Sequence, residues 1–339
     1  MSLSPFVTLL KENKLAALLK VNADVKPFYR LTFVTGLQRC GLLQKLAAAP
    51  ASIDEIAALF PEGKKNCEAL EAWLQVGVKL GLLALGPQGF TLRGMAKKLA
   101  EPQNDAALAV AEEIAELHHK LILETPERIR AGALFTLADQ DGTLIARSSR
   151  ILEAFQVEAI RKTFPSSGAV RLLEVGCGSG IYIRYAALHN GRLTASGLEL
   201  QAEVAAEARK NIAAWGLADR VEIVHEDVRE RAPEAAFDIV TLYNNIYYFP
   251  VDERVALFRR LAAFLKPSGF LLAVTCCQGG SVAVEALNLW GAATAGAGRL
   301  PTVNEMTAQM REAGFGAVQT FRLAPGESFF AFKAEMRKN

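Results

Sequence analysis

The chain has 339 residues, of which 51% are hydrophobic and 22% charged, and its formal net charge is +2. At roughly 100 to 200 residues per domain, this length predicts more than one domain, with a large core. So small a net charge argues against nucleic acid or an anionic membrane as a partner. No apolar run reaches the roughly 20 residues that span a bilayer, and charged residues interrupt the N-terminus where a signal peptide would be apolar. We therefore expect a cytoplasmic protein with neither a nucleic-acid nor a membrane partner.

The five cysteines are odd in number and have no C-x-x-C spacing. This usage is typical of buried thiols in a reducing compartment. A metal site built from Cys177, Cys276 and Cys277 is conceivable, because the ends of the strands that carry them can converge. The buried-thiol interpretation is simpler, and we expect no metal.

The first 100 residues predict helices followed by a β-hairpin. Apolar spacing indicates amphipathic helices over 1–22 and 26–41. Residues 52–55 have the S-x-x-E pattern of a capping box, which starts a short helix. A longer helix follows over 64–80, and 82–92 have the alternation and central Gly-Pro-Gln-Gly turn of a hairpin. Three helices followed by a hairpin predict a winged helix.

The third helix of this predicted winged helix does not resemble a DNA-reading helix. A recognition helix carries Arg, Lys, Asn or Gln on its outer face for phosphates and base edges. Here Lys64, Lys65 and Lys79 are offset by Glu68 and Glu71, and the centre of the helix is apolar. We therefore expect residues 1–100 to be covered by protein, as a dimerisation domain.

Residues 101–165 predict connecting helices. The first of these helices carries His118 and His119, and the last begins near Arg147. The turn Pro-Ser-Ser-Gly at 165–168 separates this region from the remaining chain, which we expect to form an α/β domain over 166–339.

An apolar strand that ends in three glycines opens this α/β domain. Leu172, Leu173 and Val175 are typical of a strand buried on both faces. The glycines at every second position allow a sharp turn and close approach of a ligand to a helix N-terminus. The motif is E-x-G-x-G-x-G, and Ile181 stands where a dinucleotide fingerprint requires glycine.

This motif resembles the first motif of class I S-adenosylmethionine-dependent methyltransferases, and the resemblance extends through the rest of the chain. It implies an α/β fold with a Rossmann-like sheet of seven strands, the last one antiparallel, and S-adenosyl-L-methionine as cofactor. The product would be S-adenosyl-L-homocysteine. The domain order is similar to that of small-molecule O-methyltransferases, in which a winged helix dimerises and connecting helices roof the substrate pocket.

The predicted cofactor residues lie at the ends of successive strands. Glu199 ends the second strand about 20 residues after the glycines, where a carboxylate can accept hydrogen bonds from ribose hydroxyls. The resemblance implies that Asp227 holds the adenine amino group and that Val228 packs against the ring. The predicted cofactor-binding residues are Glu174, Gly176, Cys177, Gly178, Gly180, Glu199, Leu200, Asp227, Val228, Tyr243 and Asn244.

The sequence departs from the resembled family at the catalytic base. In those O-methyltransferases a histidine follows the fourth strand, and here Tyr247 or Tyr248 occupies that position. A phenol with a pKa near 10 is a poor base at neutral pH, so packing or hydrogen bonding to the substrate is the favoured role. His118 or His119 on the roof helix is an alternative base, and an acidic acceptor needs none. The candidate catalytic residues are thus Tyr248, Tyr247 and His118.

The predicted function is methyl transfer to a small, largely apolar or aromatic acceptor, with O-methylation favoured, as in natural-product metabolism. The alternatives are N- or C-methylation without a histidine base, a winged-helix regulator that senses S-adenosylmethionine, and cofactor-bound chemistry without methyl transfer. The predicted acceptor-binding residues are Arg147, Phe155, Tyr247, Tyr248 and Trp290.

Overall fold

A computed structural model describes the backbone of residues 4–337 and the side chains of residues 7–337. It divides into two compact units, Met1–His119 with Asp141–Ile151, and Lys120–Gln140 with Leu152–Asn339. The predicted boundaries at residues 100 and 165 do not coincide with this division. The connecting region, 101–165, is divided between the two units. Its part in the first unit is held there by the ion pair of Arg147 and Asp105, at 2.6 Å.

The first unit is helical with one hairpin. The capping box of Ser52 and Glu55 is confirmed, since each backbone amide bonds to the other residue's side chain. The break between the first two helices lies at Asn13, which has φ of +55°, and not near residue 22 as expected. Its elements are α1 (Ser4–Lys11), α2 (Lys14–Arg39), α3 (Leu42–Ala48), α4 (Ile53–Ala57), α5 (Cys67–Leu80), β1 (Leu83–Gly86), β2 (Gly89–Leu92), α6 (Gly94–Leu99), α7 (Asp105–Glu113) and α9 (Gly142–Ser148), while α8 (His119–Ala131) starts at its boundary.

The second unit is a sheet with helices on both faces. The strands occur in the order β5-β4-β3-β6-β7-β9-β8, and only the last strand of the chain, β9, runs against the others. The predicted sheet of seven strands is thereby confirmed. Its elements are α10 (Glu153–Thr163), β3 (Val170–Val175), α11 (Ile181–His189), β4 (Leu193–Glu199), α12 (Ala202–Ala214), β5 (Val221–His225), β6 (Phe237–Tyr243), α13 (Arg254–Phe264), β7 (Leu265–Cys276), α14 (Val282–Ala293), α15 (Val303–Glu312), β8 (Phe315–Arg322) and β9 (Phe329–Met336).

Alternation along the strands separates two layers of core. Leu172 of β3 packs in a cluster with Ile160 of α10 and Ile183 of α11. The next residue, Leu173, packs on the other face with Phe258 of α13. Successive side chains of a strand point to opposite faces. Helices α10, α11 and α12 therefore cover one face, and α13 and α15 cover the other.

The sheet has one switch point, where β3 lies between β4 and β6. The chain passes from β3 outward to β4 in one direction and continues beyond β6 in the other. Ligands of open α/β sheets bind in the crevice outside the strand ends at such a point. Val175, Glu199 and Tyr243, the last residues of these three strands, border that crevice. Between residues 4 and 337 no helix is long and apolar enough to cross a membrane.

Candidate functional site

The loop from β3 to α11 is built on glycines in the left-handed region. Gly176, Gly178 and Gly180 have φ of +64°, +52° and +78°, which residues with a side chain rarely adopt. A Cβ on Gly178 would meet no atom within 4 Å, so the loop is open there. The loop is tied to the sheet because the Cys177 amide donates to the Leu198 carbonyl at 2.9 Å. It therefore offers an accessible backbone just before a helix N-terminus.

Gly176 is required for a second reason, its contact with Asn245. The Asn245 Nδ2 atom lies 1.9 Å from the position of a Cβ on Gly176. The same nitrogen donates to the Val175 carbonyl at 2.7 Å. Asn245 thus joins the end of β3 to the segment after β6.

Glu199 is buried at the end of β4, with its carboxylate beside the glycine loop. One oxygen accepts from the Gly178 amide at 3.0 Å and the other from the Gln201 amide at 3.0 Å. Each carboxylate oxygen has capacity for a further hydrogen bond. Leu200, the next residue, leaves 54% of its surface exposed. A fixed acceptor and an apolar surface are thus adjacent.

Asp227 follows β5 and is paired with Arg229. Its Oδ2 lies 2.7 Å from Arg229 Nη2, and its Oδ1 accepts from the Arg229 amide at 2.8 Å. The guanidinium holds the pKa of Asp227 below its ordinary value. Val228 is buried in the cluster on the α13 face of the sheet. The predicted adenine contact at Asp227 would have to share a carboxylate already bonded to Arg229.

Buried polar groups lie at the strand ends on the opposite face. Glu174 and Thr241 are neighbours in β3 and β6, and their side chains are 3.4 Å apart. Burial raises the pKa of Glu174 to about 8, so it is protonated at neutral pH. Tyr243 packs against Tyr182 with 4.9 Å between the tilted rings' centroids, and burial raises the pKa of Tyr243 well above its ordinary value. At neutral pH these side chains carry no charge.

The three cysteines near the strand ends are buried thiols. Cys177 packs beneath the loop, where its Sγ lies 2.9 Å from the position of a Cβ on Gly197, so only its backbone faces outward. Burial raises the pKa of Cys276 and of Cys277 to about 12. Within the described residues, no group of three or more His, Cys, Asp or Glu is arranged to hold a metal ion.

The predicted catalytic tyrosines form a turn after β6. Tyr247 and Tyr248 have ring centroids 4.9 Å apart. The Tyr248 hydroxyl accepts a hydrogen bond from Gln140 Nε2 at 3.3 Å. The Tyr247 carbonyl accepts from the Gly298 amide at 2.9 Å. We call residues 246–249 the tyrosine turn.

The buried side chain of Arg254 fixes the tyrosine turn. Its side chain is fully buried, and it donates to the carbonyls of Phe249 at 3.2 Å and Arg299 at 2.6 Å. Burial lowers its pKa to about 10. A Cβ on Gly298 would come within 2.8 Å of the same guanidinium. The turn and the 298–299 loop are therefore fixed to one cation.

The remaining predicted residues divide between the two units. Phe155 packs on the α10 face of the sheet, and Trp290 is buried beside Phe135 at 6.4 Å between ring centroids, both in the second unit. His118 and Arg147 belong to the first unit. There, His118 Nε2 lies 3.1 Å from Glu113. Arg147 is paired with Asp105, which raises its pKa.

Two residues of this region, Gln140 and Arg254, lay outside the sequence prediction. Gln140 carries an ordinary polar side chain whose partner is 108 residues away. Arg254 begins α13 after two acidic residues, a position that is usually exposed. Only the left-handed Asn244, with φ of +49° between β6 and the tyrosine turn, marks the segment as specialised.

Comparisons with known proteins agree with this geometry. Residues 172–269 match the family described as a methyltransferase domain. A mitomycin biosynthesis 6-O-methyltransferase of Streptomyces lavendulae is 32% identical over 127 residues, which are 38% of this chain and 35% of that protein. The chain spans between 23% and 35% of the length of the first curated relatives that it matches.

Solved structures match over nearly the whole chain. The mitomycin 7-O-methyltransferase structure has a TM-score of 0.79 at 18% identity, covering 96% of this chain and 100% of that one. Human N-acetylserotonin methyltransferase in complex with S-adenosylmethionine has a TM-score of 0.73 at 14% identity, covering 94% and 97%. Identity this low establishes the fold alone. The chain therefore has the fold of these methyltransferase structures, and its residues 172–269 match a methyltransferase domain.

Proposed function

We propose that this chain transfers a methyl group from S-adenosyl-L-methionine to a small, largely apolar or aromatic acceptor, with O-methylation favoured. The observation that supports this most is the meeting of an open glycine loop, a buried carboxylate and an aromatic turn at one switch point. Gly178 and Glu199 supply the first two, bonded to each other at 3.0 Å. The Tyr247–Tyr248 pair supplies the third.

The residues at the strand ends fit this cofactor. The open space over Gly178 allows a ligand to approach the backbone. Glu199 has capacity left to accept hydrogen bonds from ribose hydroxyls, and exposed Leu200 offers an apolar surface for a base. Asp227 fits less simply, because Arg229 occupies both of its oxygens.

The chain's contribution to the reaction is positioning. The bound cofactor supplies an electrophilic methyl group on a sulfonium. The protein must hold the acceptor in line with it, and good alignment alone accelerates such reactions greatly. Tyr248 is partly exposed and offers aromatic surface suited to a flat acceptor, while Tyr247 is buried and packs against it. In this proposal Tyr248 orients the acceptor through its hydroxyl, and an acidic hydroxyl on the acceptor lessens the need for a base.

Calorimetry with S-adenosylhomocysteine tests the cofactor assignment. We expect Glu199→Ala to weaken binding at least tenfold. The ribose loses its hydrogen-bond acceptor, and the glycine loop loses the hydrogen bond from the Gly178 amide to Glu199. Glu203→Ala is the matched control, since Glu203 is exposed on the following helix. Unchanged binding by the Glu199 variant would overturn the assignment.

A screen with labelled S-adenosylmethionine against phenols, amines and carboxylic acids tests the acceptor class. We expect labelled product from phenols or other acidic hydroxyls and little from amines. Product from amines or carbon acids alone would replace O-methylation by N- or C-methylation. The absence of transfer to any class, combined with cofactor binding, would favour the sensor alternative.

We further propose that the first unit forms a homodimer. Leu10, Leu18, Leu19 and Val21 of α1 and α2 are each more than half exposed, which is costly unless a partner covers them. Light scattering should give twice the chain mass. A stable monomer would contradict the dimer, and salt-dependent binding to duplex DNA would support the winged-helix regulator instead.

A further inference from the structure

An apolar cavity of about 580 Å³ opens on the surface of the first unit. Its walls are the last turns of α2, the first turns of α5 and the loop that precedes α5. Gly36 and Cys40 come from α2, and Leu70 and Trp73 come from α5. The Trp73 ring is held by stacking on Phe33 of α2, with 4.8 Å between ring centroids. The volume is that of a pocket that binds an organic molecule or protein side chains.

Gly36 forms the α2 wall of this cavity, and nothing in the described part of one copy requires a glycine there. It lies inside a helix, where glycine lowers stability relative to alanine. Its φ lies outside the left-handed region, and a Cβ on it would contact only the Trp73 ring among the described residues, at an ordinary 3.5 Å. The missing side chain therefore leaves room for a close approach from outside the copy.

The same side of α2 carries an exposed apolar stripe. Leu18, Val25, Tyr29 and Gly36 follow one another at spacings of seven, four and seven residues, which places them on one side of the helix. Leu18 and Tyr29 are 54% and 50% exposed. Thr32, which lies between Tyr29 and Gly36, turns its hydroxyl back to the Tyr29 carbonyl at 3.2 Å. The stripe is thus apolar along its length, and it ends at the cavity.

One copy of the chain cannot bring Leu18 to its own cavity. Helix α2 is continuous from Lys14 to Arg39 and rises about 1.5 Å per residue, so Leu18 and Gly36 are ~27 Å apart. Two copies of α2 that run antiparallel and cross near Pro27 bring Leu18 of each copy to Gly36 of the other. A twofold interface uses the same surface of both copies, so this single arrangement fills both cavities.

We propose that the cavity beside Gly36 binds the Leu18 side of α2 from a second copy of this chain, and that the two copies make this contact reciprocally. A second copy is the occupant that the surface itself indicates, because the stripe and the cavity are complementary and lie on one helix at the separation that a twofold axis requires. The inference rests on the homodimer proposed above and names its surface.

The charges along α2 agree with this register. When Leu18 lies at the cavity of the other copy, Val25 of one copy lies against Tyr29 of the other. Asp24, which is exposed, then lies near Arg30 of the other copy. The Arg30 side chain is already positioned, because its Nε donates to the Leu80 carbonyl at 3.0 Å. Apolar groups thus meet apolar groups, and opposite charges meet beside them.

Gly36→Leu tests the inference by filling the cavity from within each copy. Sedimentation equilibrium should show the dissociation constant of the dimer raised at least 100-fold, because the filled cavity no longer admits Leu18 of the other copy. The variant should melt no lower than the wild type when both are monomeric at high dilution, since leucine is the better helix former. Gly36→Ala is the matched control. Its Cβ fits against Trp73, so the dissociation constant should stay within tenfold.

Leu18→Asp tests the other side of the same contact and does not depend on the folding of a Gly36 variant, since Leu18 is exposed in one copy. It should also raise the dissociation constant at least 100-fold, because it would bury a carboxylate in an apolar cavity. Leu188→Asp, at a leucine of the second unit that is 68% exposed, is the control and should leave the dimer unchanged.

Charge reversal tests the register. Asp24→Arg should weaken the dimer about tenfold, because it sets two cations opposite each other, and the double variant Asp24→Arg with Arg30→Glu should recover most of the loss. A double variant no tighter than the single variant would overturn the antiparallel register.

The outcomes separate this inference from the proposals on which it rests. A dimer that survives both Gly36→Leu and Leu18→Asp would overturn this surface and leave the homodimer standing. A wild-type chain that stays monomeric at high micromolar concentration would overturn both. Binding of S-adenosylhomocysteine is measured separately, and its failure in the wild type would refute the proposed methyl transfer while the dimer surface stands.

Discussion

The two sides of the crevice are built in different ways. On the side proposed to bind the methyl donor, the donor side, the glycine loop and Glu199 come from 26 consecutive residues, 174–199, and are joined largely through backbone amides. On the side proposed to bind the acceptor, the acceptor side, the tyrosine turn is held by the Gln140 side chain, 108 residues away from Tyr248, by the Gly298 amide and by the side chain of nearby Arg254. A backbone site tolerates little variation, whereas a side-chain site can be changed one residue at a time. This difference suits an enzyme fold with one donor and many acceptors.

The largest effect is expected on the donor side, from Gly176→Val. The substitution forces a β-branched residue to φ of +64° and displaces Asn245 from the Val175 carbonyl. We expect loss of measurable S-adenosylhomocysteine binding and a drop of about 4 kcal/mol in the free energy of unfolding. Calorimetry and urea titration measure the two effects.

Gly178→Ala separates strain from steric overlap. Gly178 has a similar positive φ but open space around it, so its variant should lose only about 1 kcal/mol. Equal losses at the two positions would mean that the contact with Asn245 is unimportant.

Glu174→Gln tests whether the buried carboxyl of Glu174 makes the stability of the fold depend on pH. Burial raises the pKa of Glu174 from 4.5 to about 8, so the folded protein holds this proton more tightly than the unfolded chain. The carboxyl's contribution to stability is complete below pH 4.5 and is lost as the pH rises through about 8. Between pH 5 and 7.5 the wild type should therefore lose ~3 kcal/mol relative to the glutamine variant.

Urea titrations of both proteins at several pH values measure this difference. Glu203→Gln, at an exposed position, should show no comparable trend. A wild-type-minus-variant difference that stays constant with pH would mean that Glu174 titrates like an exposed carboxyl.

The sequence predicts the loop and the strands of the donor side because their determinants are local. Glycine spacing, a strand pattern and an acid about 20 residues later specify a loop, and the sheet that carries them is confirmed. The position of Tyr247 and Tyr248 after β6 was also predictable. Their supports were not, because nothing in the local pattern distinguishes a buried Arg254 from an exposed helix-starting arginine.

Arg254→Met tests the acceptor side without touching the donor side. The carbonyls of Phe249 and Arg299 each lose a hydrogen-bond donor, which lowers the free energy of unfolding by about 1 kcal/mol per bond. The substitution also removes a buried cation, and this offsets part of the loss. We expect unfolding to become easier by up to ~2 kcal/mol and S-adenosylhomocysteine affinity to stay within twofold. Urea titration and calorimetry provide the measurements. A tenfold loss of cofactor affinity would show that the two sides are not independent.

Tyr248→Phe has the smallest expected effect. It tests directly whether Tyr248 orients the acceptor or acts as a general base. It removes only the hydroxyl that Gln140 bonds at 3.3 Å, so stability should fall by about 0.5 to 1 kcal/mol and cofactor binding should not change. Steady-state kinetics with an acceptor from the screen should show a KM raised a few-fold and a kcat within tenfold of the wild type. The exposed Tyr29 provides a control, since Tyr29→Phe should alter neither constant. A general base contributes 10²- to 10⁴-fold, so a kcat lowered by that factor at unchanged KM would contradict the orienting role and make Tyr248 the base.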